Sequence, residues 1–175
     1  SCFSARDSFA VVVVDDPVVT IDSDVSAICS DGIVMFSSTV TGGAGSTSYR
    51  WQISPDGSSW GDLDNATQST LSLTTPSTGS FYYRLLITQE SGCAATSNEI
   101  IIQTFNDPNV SVSAPEQAVC EGGEIELAAS VTGGTGTTLY QWQRLDGAIW
   151  TDVDGATSDT VVIPAPPNGT YQYRV

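Results

Sequence analysis

A four-residue pattern that occurs twice constrains this chain more than any other feature. Tyr49-Arg50-Trp51-Gln52 returns 91 residues later as Tyr140-Gln141-Trp142-Gln143. The frame around it returns as well. Upstream, Val40-Thr41-Gly42-Gly43-x-Gly45 matches Val131-Thr132-Gly133-Gly134-x-Gly136. Downstream, Asp56-Gly57-x-x-Trp60-x-Asp62-Leu63-Asp64-x-Ala66-Thr67 matches Asp146-Gly147-x-x-Trp150-x-Asp152-Val153-Asp154-x-Ala156-Thr157. A repeat this long suits a row of whole domains, because solenoid repeats are shorter. Each copy must therefore bury its own core, and Trp51 and Trp142 are the residues around which those cores are expected to form.

Residues 1–54 align with 92–145 without a gap, and 56–85 align with 146–175 once Pro55 is set aside. The alignment divides the chain into three parts. Residues 1–15 read as the last strand of a preceding module, with Val11 to Val14 against Ile102 to Phe105. Residues 16–106 read as a complete module. Residues 107–175 read as a second module lacking its last strand. The chain is thus expected to be a window on a longer array. Asp15-Asp16-Pro17 and Asn106-Asp107-Pro108 mark the joints. Proline fixes φ and cannot donate to a ladder, and no Gly/Ser tract intervenes, so the joints are expected to be short and stiff.

The complete module alternates apolar and polar residues with a period of two, and no stretch shows a helical period. Strands are expected over 18–23 with 26–29, 33–41, 49–54, 60–63, 70–74, 81–89 and 98–105. Asp56-Gly57 is a hairpin signal. About seven strands in about 90 residues is the size of an immunoglobulin-like β-sandwich. The fold class is therefore all-β, as tandem immunoglobulin-like modules. Trp51 and Trp142 take the core tryptophan position, and Tyr83 and Tyr173 that of the fold's tyrosine corner. No cysteine stands where the usual inter-sheet disulfide would be; Ser38 and Ala129 lie near that place.

Composition narrows function by exclusion. The chain has 175 residues, a net charge of −15, five Arg, no Lys and no His. A nucleic-acid partner needs a cationic footprint, which this chain does not carry, and anionic lipid would repel it. Without His and Lys it lacks the commonest general base, the imidazole zinc ligand and the Schiff-base nucleophile. The remaining carboxylates are scattered, so no enzyme, catalytic residue or cofactor is expected. Val11 to Val14 is far too short to cross a bilayer, and no membrane insertion is expected of this segment.

The motif order resembles the immunoglobulin-like or PKD-like repeats of large Bacteroidetes surface proteins, including gliding-motility adhesins. The residues that carry the resemblance are Ile28-Cys29-Ser30-Asp31-Gly32, Val40-Thr41-Gly42-Gly43, Tyr49-Arg50-Trp51-Gln52, Asp56-Gly57-x-x-Trp60, Phe81-Tyr82-Tyr83-Arg84 and Gly92-Cys93. The resemblance implies a long, secreted, extracellular protein held at the cell surface and exported by the type IX route, in which such repeats build stalks. Asp159-Thr160-Val161 also resembles the O-glycosylation acceptor of that phylum, which marks Thr160.

Four further groups of residues are candidate sites. Cys2, Cys29, Cys93 and Cys120 recur at two repeat positions, and even usage in such a chain argues for disulfides. Cys29–Cys93 within a module is the simple pairing. In an immunoglobulin topology, however, the first turn and last hairpin lie at opposite ends, roughly 30 Å apart, beyond the reach of a disulfide. Pairing between successive modules, with cysteines outside this window, is therefore preferred. Asp15, Asp16, Asp22 and Asp24 crowd the first joint, where calcium could bind, although Ser113 and Pro115 replace the last two at the second joint. Trp60 with Asp62 and Asp64, and Trp150 with Asp152 and Asp154, read as a hairpin with one packed Trp, the alternative being a glycan or calcium platform. Gly42-Gly43-x-Gly45 reads as a flexible turn, because no helix or Lys follows it to cradle phosphate.

The function expected from these readings is a non-catalytic stalk or spacer segment of a surface adhesin, presenting a binding region farther along the chain. Its partners would be neighbouring repeats. The alternative is that each repeat itself engages surface glycans or proteins weakly, and the array supplies avidity.

Overall fold

The structure, a computed structural model, describes residues 9–175. The chain divides into two compact units, Ser1–Thr104 and Phe105–Val175. The first contains β1 (Val18–Ser23), β2 (Ala27–Cys29), β3 (Ile33–Thr41), β4 (Thr47–Ser54), β5 (Gly61–Asp62), β6 (Thr70–Thr74), β7 (Gly79–Gln89), β8 (Ala94–Thr96) and β9 (Ile100–Phe105). One sheet runs β1-β3-β6, and the other runs β2-β9-β7-β4-β5 with β8 paired to β7. Two antiparallel sheets with this strand order form an immunoglobulin-like β-sandwich.

Alternation along each strand sends one face to the core. β1 contributes Val19 and Ile21, β3 Val34 and Phe36, β4 Trp51, β7 Tyr83, Leu85 and Ile87, and β9 Ile102, all buried. The register fixes which residues share a level: Trp51 sits opposite Leu85, and Tyr49 opposite Ile87. The Phe36 ring lies 5.6 Å from Trp51 and 4.8 Å from Tyr83. Phe36, not Ser38, thus occupies the place beside the tryptophan that a disulfide takes in antibody domains. The repeat equivalent of Phe36, Leu127, is likewise buried.

Trp51 and Trp142 are fully buried, and the same contacts surround each. The indole Nε1 of Trp51 donates to the Gln68 carbonyl at 2.9 Å, and that of Trp142 to the Ser158 carbonyl at 2.9 Å. Their main chains are clamped too. Leu63 N donates to Trp51 O at 2.9 Å, and Trp51 N to Ala66 O at 3.3 Å. Val153 N donates to Trp142 O at 2.9 Å, and Trp142 N to Ala156 O at 3.0 Å. The repeated Asp-x-Asp-x-Ala-Thr segment is therefore the strap that satisfies the buried tryptophan.

The second unit contains β10 (Asn109–Ser113), β11 (Glu124–Thr132), β12 (Gln143–Asp146), β13 (Ile149–Asp152), β14 (Thr160–Pro164) and β15 (Tyr173–Arg174). Its sheets run β10-β11-β14 and β13-β12-β15. They reproduce β1-β3-β6 and β5-β4-β7 at the aligned positions.

The strands depart from the expected set in three ways. The return strand after the hairpin shrinks to Gly61–Asp62, because Leu63 turns away to bond Trp51. β8 arises where only a turn was expected: Ser97 Oγ accepts from Leu85 N at 2.9 Å and carries the chain along β7. Residues 9–17 form no strand, and Phe9 and Val11 to Val13 are exposed. This apolar run pairs with no strand among the described residues. The remainder of the expected first segment, 1–8, lies outside the described residues, as does Cys2.

The tyrosine corner expected at Tyr83 and Tyr173 does not form. Both hydroxyls are buried without a hydrogen-bond partner. Burial pushes the Tyr83 phenol up to about 12, and it raises Tyr173 as well. The two rings act as apolar core bodies instead.

The Gly-Gly-x-Gly loop is a docking element for the joint that precedes its own unit. Gly43 N donates to Asp15 O at 2.9 Å, and Gly134 N to Asn106 O at 2.6 Å. Gly43 adopts φ +69°, and a Cβ there would collide with Gln89 Oε1, which accepts from Ala44 N at 2.9 Å. Glycine meets both demands without strain and without displacing the Gln89 amide.

Asp56 organises the β4–β5 hairpin. Its Oδ1 accepts from Ser58 N at 2.8 Å, Ser59 N at 2.7 Å and Ser54 Oγ at 2.9 Å. These bonds, that of Ser59 foremost, hold the carboxyl well below its ordinary value of 3.8. A lowered folded-state pKa contributes stability that is present above the unfolded value and lost as pH falls through the folded one. Asp56→Asn is therefore expected to melt below the parent at neutral pH, with the gap closing as pH drops beneath 3.8. A gap that stays constant in acid contradicts this assignment.

Candidate functional site

The repeated Trp, Asp, Gln and Arg side chains converge on the outer face of the sheet that contains β4. Gln52 pairs with Asp62 across the β4–β5 ladder and with Arg84 across the β4–β7 ladder, so the three share one rung. Gln52 Nε2 donates to Asp62 Oδ1 at 2.6 Å, and Arg84 Nε donates to Gln52 Oε1 at 2.8 Å. The Arg84 guanidinium then lies 4.0 Å above the Trp60 ring. Arg50 closes the far end on Asp62 Oδ2 at 3.2 Å.

The second unit builds the same rung. Gln143 pairs with Asp152 and with Arg174. Gln143 Nε2 donates to Asp152 Oδ1 at 2.7 Å, and Arg174 Nε donates to Gln143 Oε1 at 2.7 Å. Arg174 sits 4.4 Å over Trp150. Of the two repeated carboxylates per copy, the first is thus the anchor of a glutamine relay, and the second, Asp64 or Asp154, is exposed at the strap.

This geometry separates the two readings of the Trp-Asp motif. Trp60 and Trp150 are half-buried, and in each the guanidinium covers one ring face. A sugar-stacking platform needs an open face, and a calcium site needs converging oxygens. Here the carboxylate oxygens are turned along the sheet toward amide and guanidinium donors. A cation over an indole contributes about 0.5–1 kcal/mol at an exposed site. The roles of Gln52, Gln143, Arg84 and Arg174 escaped the sequence reading. Their signal was the Trp-Gln and Tyr-Arg pairs, which recur in register in both copies.

The other candidate residues do not assemble into a site. Asp22 Oδ1 accepts from the neighbouring Ser23 N at 2.9 Å, and Asp24 Oδ1 accepts from Met35 N at 2.9 Å, closing the β1–β3 edge. Asp15 engages the glycine loop through its carbonyl rather than its carboxylate. With Asp16 they do not form a metal cluster, since no group of three or more His, Cys, Asp or Glu side chains converges among the described residues. Thr160 is exposed at the first position of β14.

Cys29, Cys93 and Cys120 form no disulfide with one another. Cys29 lies where β9 leaves the first unit: its carbonyl accepts from Thr75 Oγ1 at 3.3 Å, and Gln103 N donates to Ser26 O at 2.9 Å. Cys93 lies at the other end, where its carbonyl accepts from Gln89 N at 2.8 Å. Gln103 pairs with Ser80, so the length of β7 from Ser80 to Gln89, roughly 30 Å at strand rise, separates the two levels.

A family model described as "Domain of unknown function (DUF8696)" matches residues 19–106. No curated protein matches the sequence. Among solved structures, the chain is similar to three N-terminal domains of the bacteriophage RB49 highly immunogenic outer capsid protein, Hoc, at 18% identity and a TM-score of 0.49. That match covers 90% of this chain and 53% of the three-domain Hoc chain. It is also similar to fibronectin(III)-like modules of Clostridium thermocellum CbhA, at 17% identity, TM-score 0.39, and 84% and 78% coverage. The mouse nectin-like molecule 4 ectodomain gives 18% identity, TM-score 0.40, and 87% and 56% coverage. The chain thus spans about half the length of the Hoc and nectin-like structures, and these are likenesses of fold alone.

Arg84→Ala uncovers one face of Trp60. It is expected to shift the Trp60 indole resonance and to lower stability by about 1 kcal/mol or less. An unchanged indole resonance would show that the guanidinium does not occupy the ring in solution.

Proposed function

Starting from the fact that this chain belongs to that family of domains of unknown function, we propose that it is a non-catalytic spacer. On this reading it is a stalk segment of a long, extracellular, surface-held adhesin. The observation that carries the proposal is the fate of the repeated polar and aromatic residues. In both units the tryptophan, the first aspartate, the glutamine and the arginine of the motif are bonded to one another. The repeated glycines hold the joint against its own unit. A motif consumed by its own module encodes the module, and repetition of a module provides length.

The resemblance to Bacteroidetes surface repeats supports the finer reading, namely type IX export and a place in a gliding-motility-like adhesin. Its acidity suits such a setting, where mutual repulsion keeps neighbouring molecules apart. In that array each first-turn cysteine, Cys29 or Cys120, pairs with the last-hairpin cysteine of the following module. The placement of Cys29 where β9 leaves its unit and of Cys93 near the opposite end supports this pairing. Such bonds would resist separation under load. Neighbouring repeats are the partners on this reading, and no metal or cofactor takes part.

The decisive experiment exchanges residues 16–175 in the native protein for unrelated immunoglobulin-like modules of equal number. A spacer is expected to leave adhesion to the natural surface unchanged, whereas deleting the modules outright weakens it. Loss of adhesion on exchange at constant length would instead assign glycan or protein binding to these repeats.

A further inference from the structure

The first unit leaves one sheet edge unguarded. Open strand edges invite pairing, and proteins guard them with short strands, charges, prolines or a covering group. The β1 edge is closed by Asn98, whose Oδ1 accepts from Ile21 N at 2.9 Å and whose Nδ2 donates to Ile21 O at 3.1 Å. The edge strands β2 and β5 are only three and two residues long. β6 is five residues long and has β3 on one side and no strand on the other among the described residues. No charged residue stands between Asp64 and Arg84, in a chain of net charge −15.

The ladder shows which groups β6 offers. Thr75 N donates to Gly32 O at 2.8 Å, on the β3 side. Alternation then turns the main-chain groups of Leu71 and Leu73 toward β3 and those of Thr70, Ser72 and Thr74 toward the open edge. The side chains of these last three are exposed, and Leu71 and Leu73 are half-buried. Next to them on β3, Ile33 faces Thr74 and Met35 faces Ser72, and both are about as exposed, at 60% and 59%.

The second unit guards the same edge. Ala165 N donates to Gly123 O at 2.8 Å, so Pro164 stands at the outward position of Thr74 and has no N–H to offer. Glu124 and Glu126 take the places of Ile33 and Met35, opposite Pro164 and Val162. A proline and two charges thus protect β14, and β6 has neither device.

The sequence of β6 points to its occupant. Thr-Leu-Ser-Leu-Thr reads the same in both directions. When two such strands run antiparallel about Ser72, Ser72 faces Ser72, Thr70 faces Thr74, and Leu71 faces Leu73. The Ser and Thr pairs are the outward-facing ones, so each exchanges both main-chain bonds, and every cross-strand pair joins like side chains without charge. An acidic copy is repelled by an acidic surface, and at this edge it meets no charge.

We propose that β6 is a self-pairing edge and that β6 of a second copy occupies it. The contact is isologous about a two-fold axis at Ser72, and it joins the two β1-β3-β6 sheets into one continuous sheet. Association strengthens as salt screens the repulsion between copies. The pairing is lateral, between the first units of two chains, and does not depend on the spacer reading.

The test combines the solution mass of the 175-residue polypeptide with amide exchange, both followed against concentration. A species of twice 18.3 kDa is expected, growing with concentration and with salt. As it forms, exchange should slow at Thr70, Ser72 and Thr74 and stay unchanged at Thr160 and Val162, their counterparts on β14. Thr74→Pro gives β6 the residue that β14 already holds at that position, and it is expected to abolish the double-mass species. Ser72→Glu changes an exposed side chain and sets two carboxylates face to face at the axis; it is expected to do the same. A parent that stays single at every concentration overturns the proposal. So does a double-mass species that leaves Thr70, Ser72 and Thr74 exchanging at their single-copy rates, or one that survives both substitutions.

Discussion

Each unit depends on a buried indole whose one polar atom must be satisfied. A tryptophan brings a large apolar body to a sandwich, but its N–H cannot be left without an acceptor in the core. The chain meets that demand with a strap, residues 63–68 in one unit and 153–158 in the other. A carbonyl of the strap accepts the indole N–H, and its backbone bonds both main-chain groups of the tryptophan. The strap draws the chain from one sheet to the other, and so positions β6 against β3 and β14 against β11. Leu63, Val153, Ala66 and Ala156 close over the ring as a consequence.

The surface follows from the same arrangement. Once the tryptophan of β4 points inward, its neighbour Gln52 must point outward, because the side-chain period of a strand is two. Gln52 then stands between the outward residues of the flanking strands, Asp62 and Arg84. An amide is suited to that place, since it accepts from a guanidinium and donates to a carboxylate at once. The rung therefore ties the outer faces of three strands beneath a half-buried Trp60. Gln52, Asp62 and Arg84 thereby make cross-strand contacts, the unit of sheet stabilisation.

Much of this was legible in the sequence for a physical reason. A period of two in the apolar residues fixes both the existence of a strand and its inward face, so Trp51, Leu85 and Ile87 fell where the alternation put them. Repetition at 91 residues then marked which polar residues belong to the module and which do not. The calcium idea at Asp22 and Asp24 weakened at that level, because Ser113 and Pro115 stand at the aligned positions. What escaped were features decided by tertiary neighbours. The shortness of β5 depends on Leu63 turning to meet Trp51. β8 depends on a serine hydroxyl reaching Leu85 N. The missing hydroxyl bond of Tyr83 depends on which backbone groups the sandwich brings near, and no local pattern encodes that.

The central claim is that the strap exists to satisfy the tryptophan, and amide exchange tests it most directly. Trp51→Phe keeps an aromatic body in the core and removes the indole donor to Gln68. The expected result is faster exchange at Leu63 N and at Trp51's own position, 51, with Val153 and Trp142 of the other unit unchanged. A loss of about 1 kcal/mol should accompany it, the usual net contribution of one intramolecular hydrogen bond. Unaltered protection at Leu63, together with an unaltered unfolding midpoint, would contradict the account: the strap would then be held by its own turn, and the tryptophan would be only one apolar side chain among several.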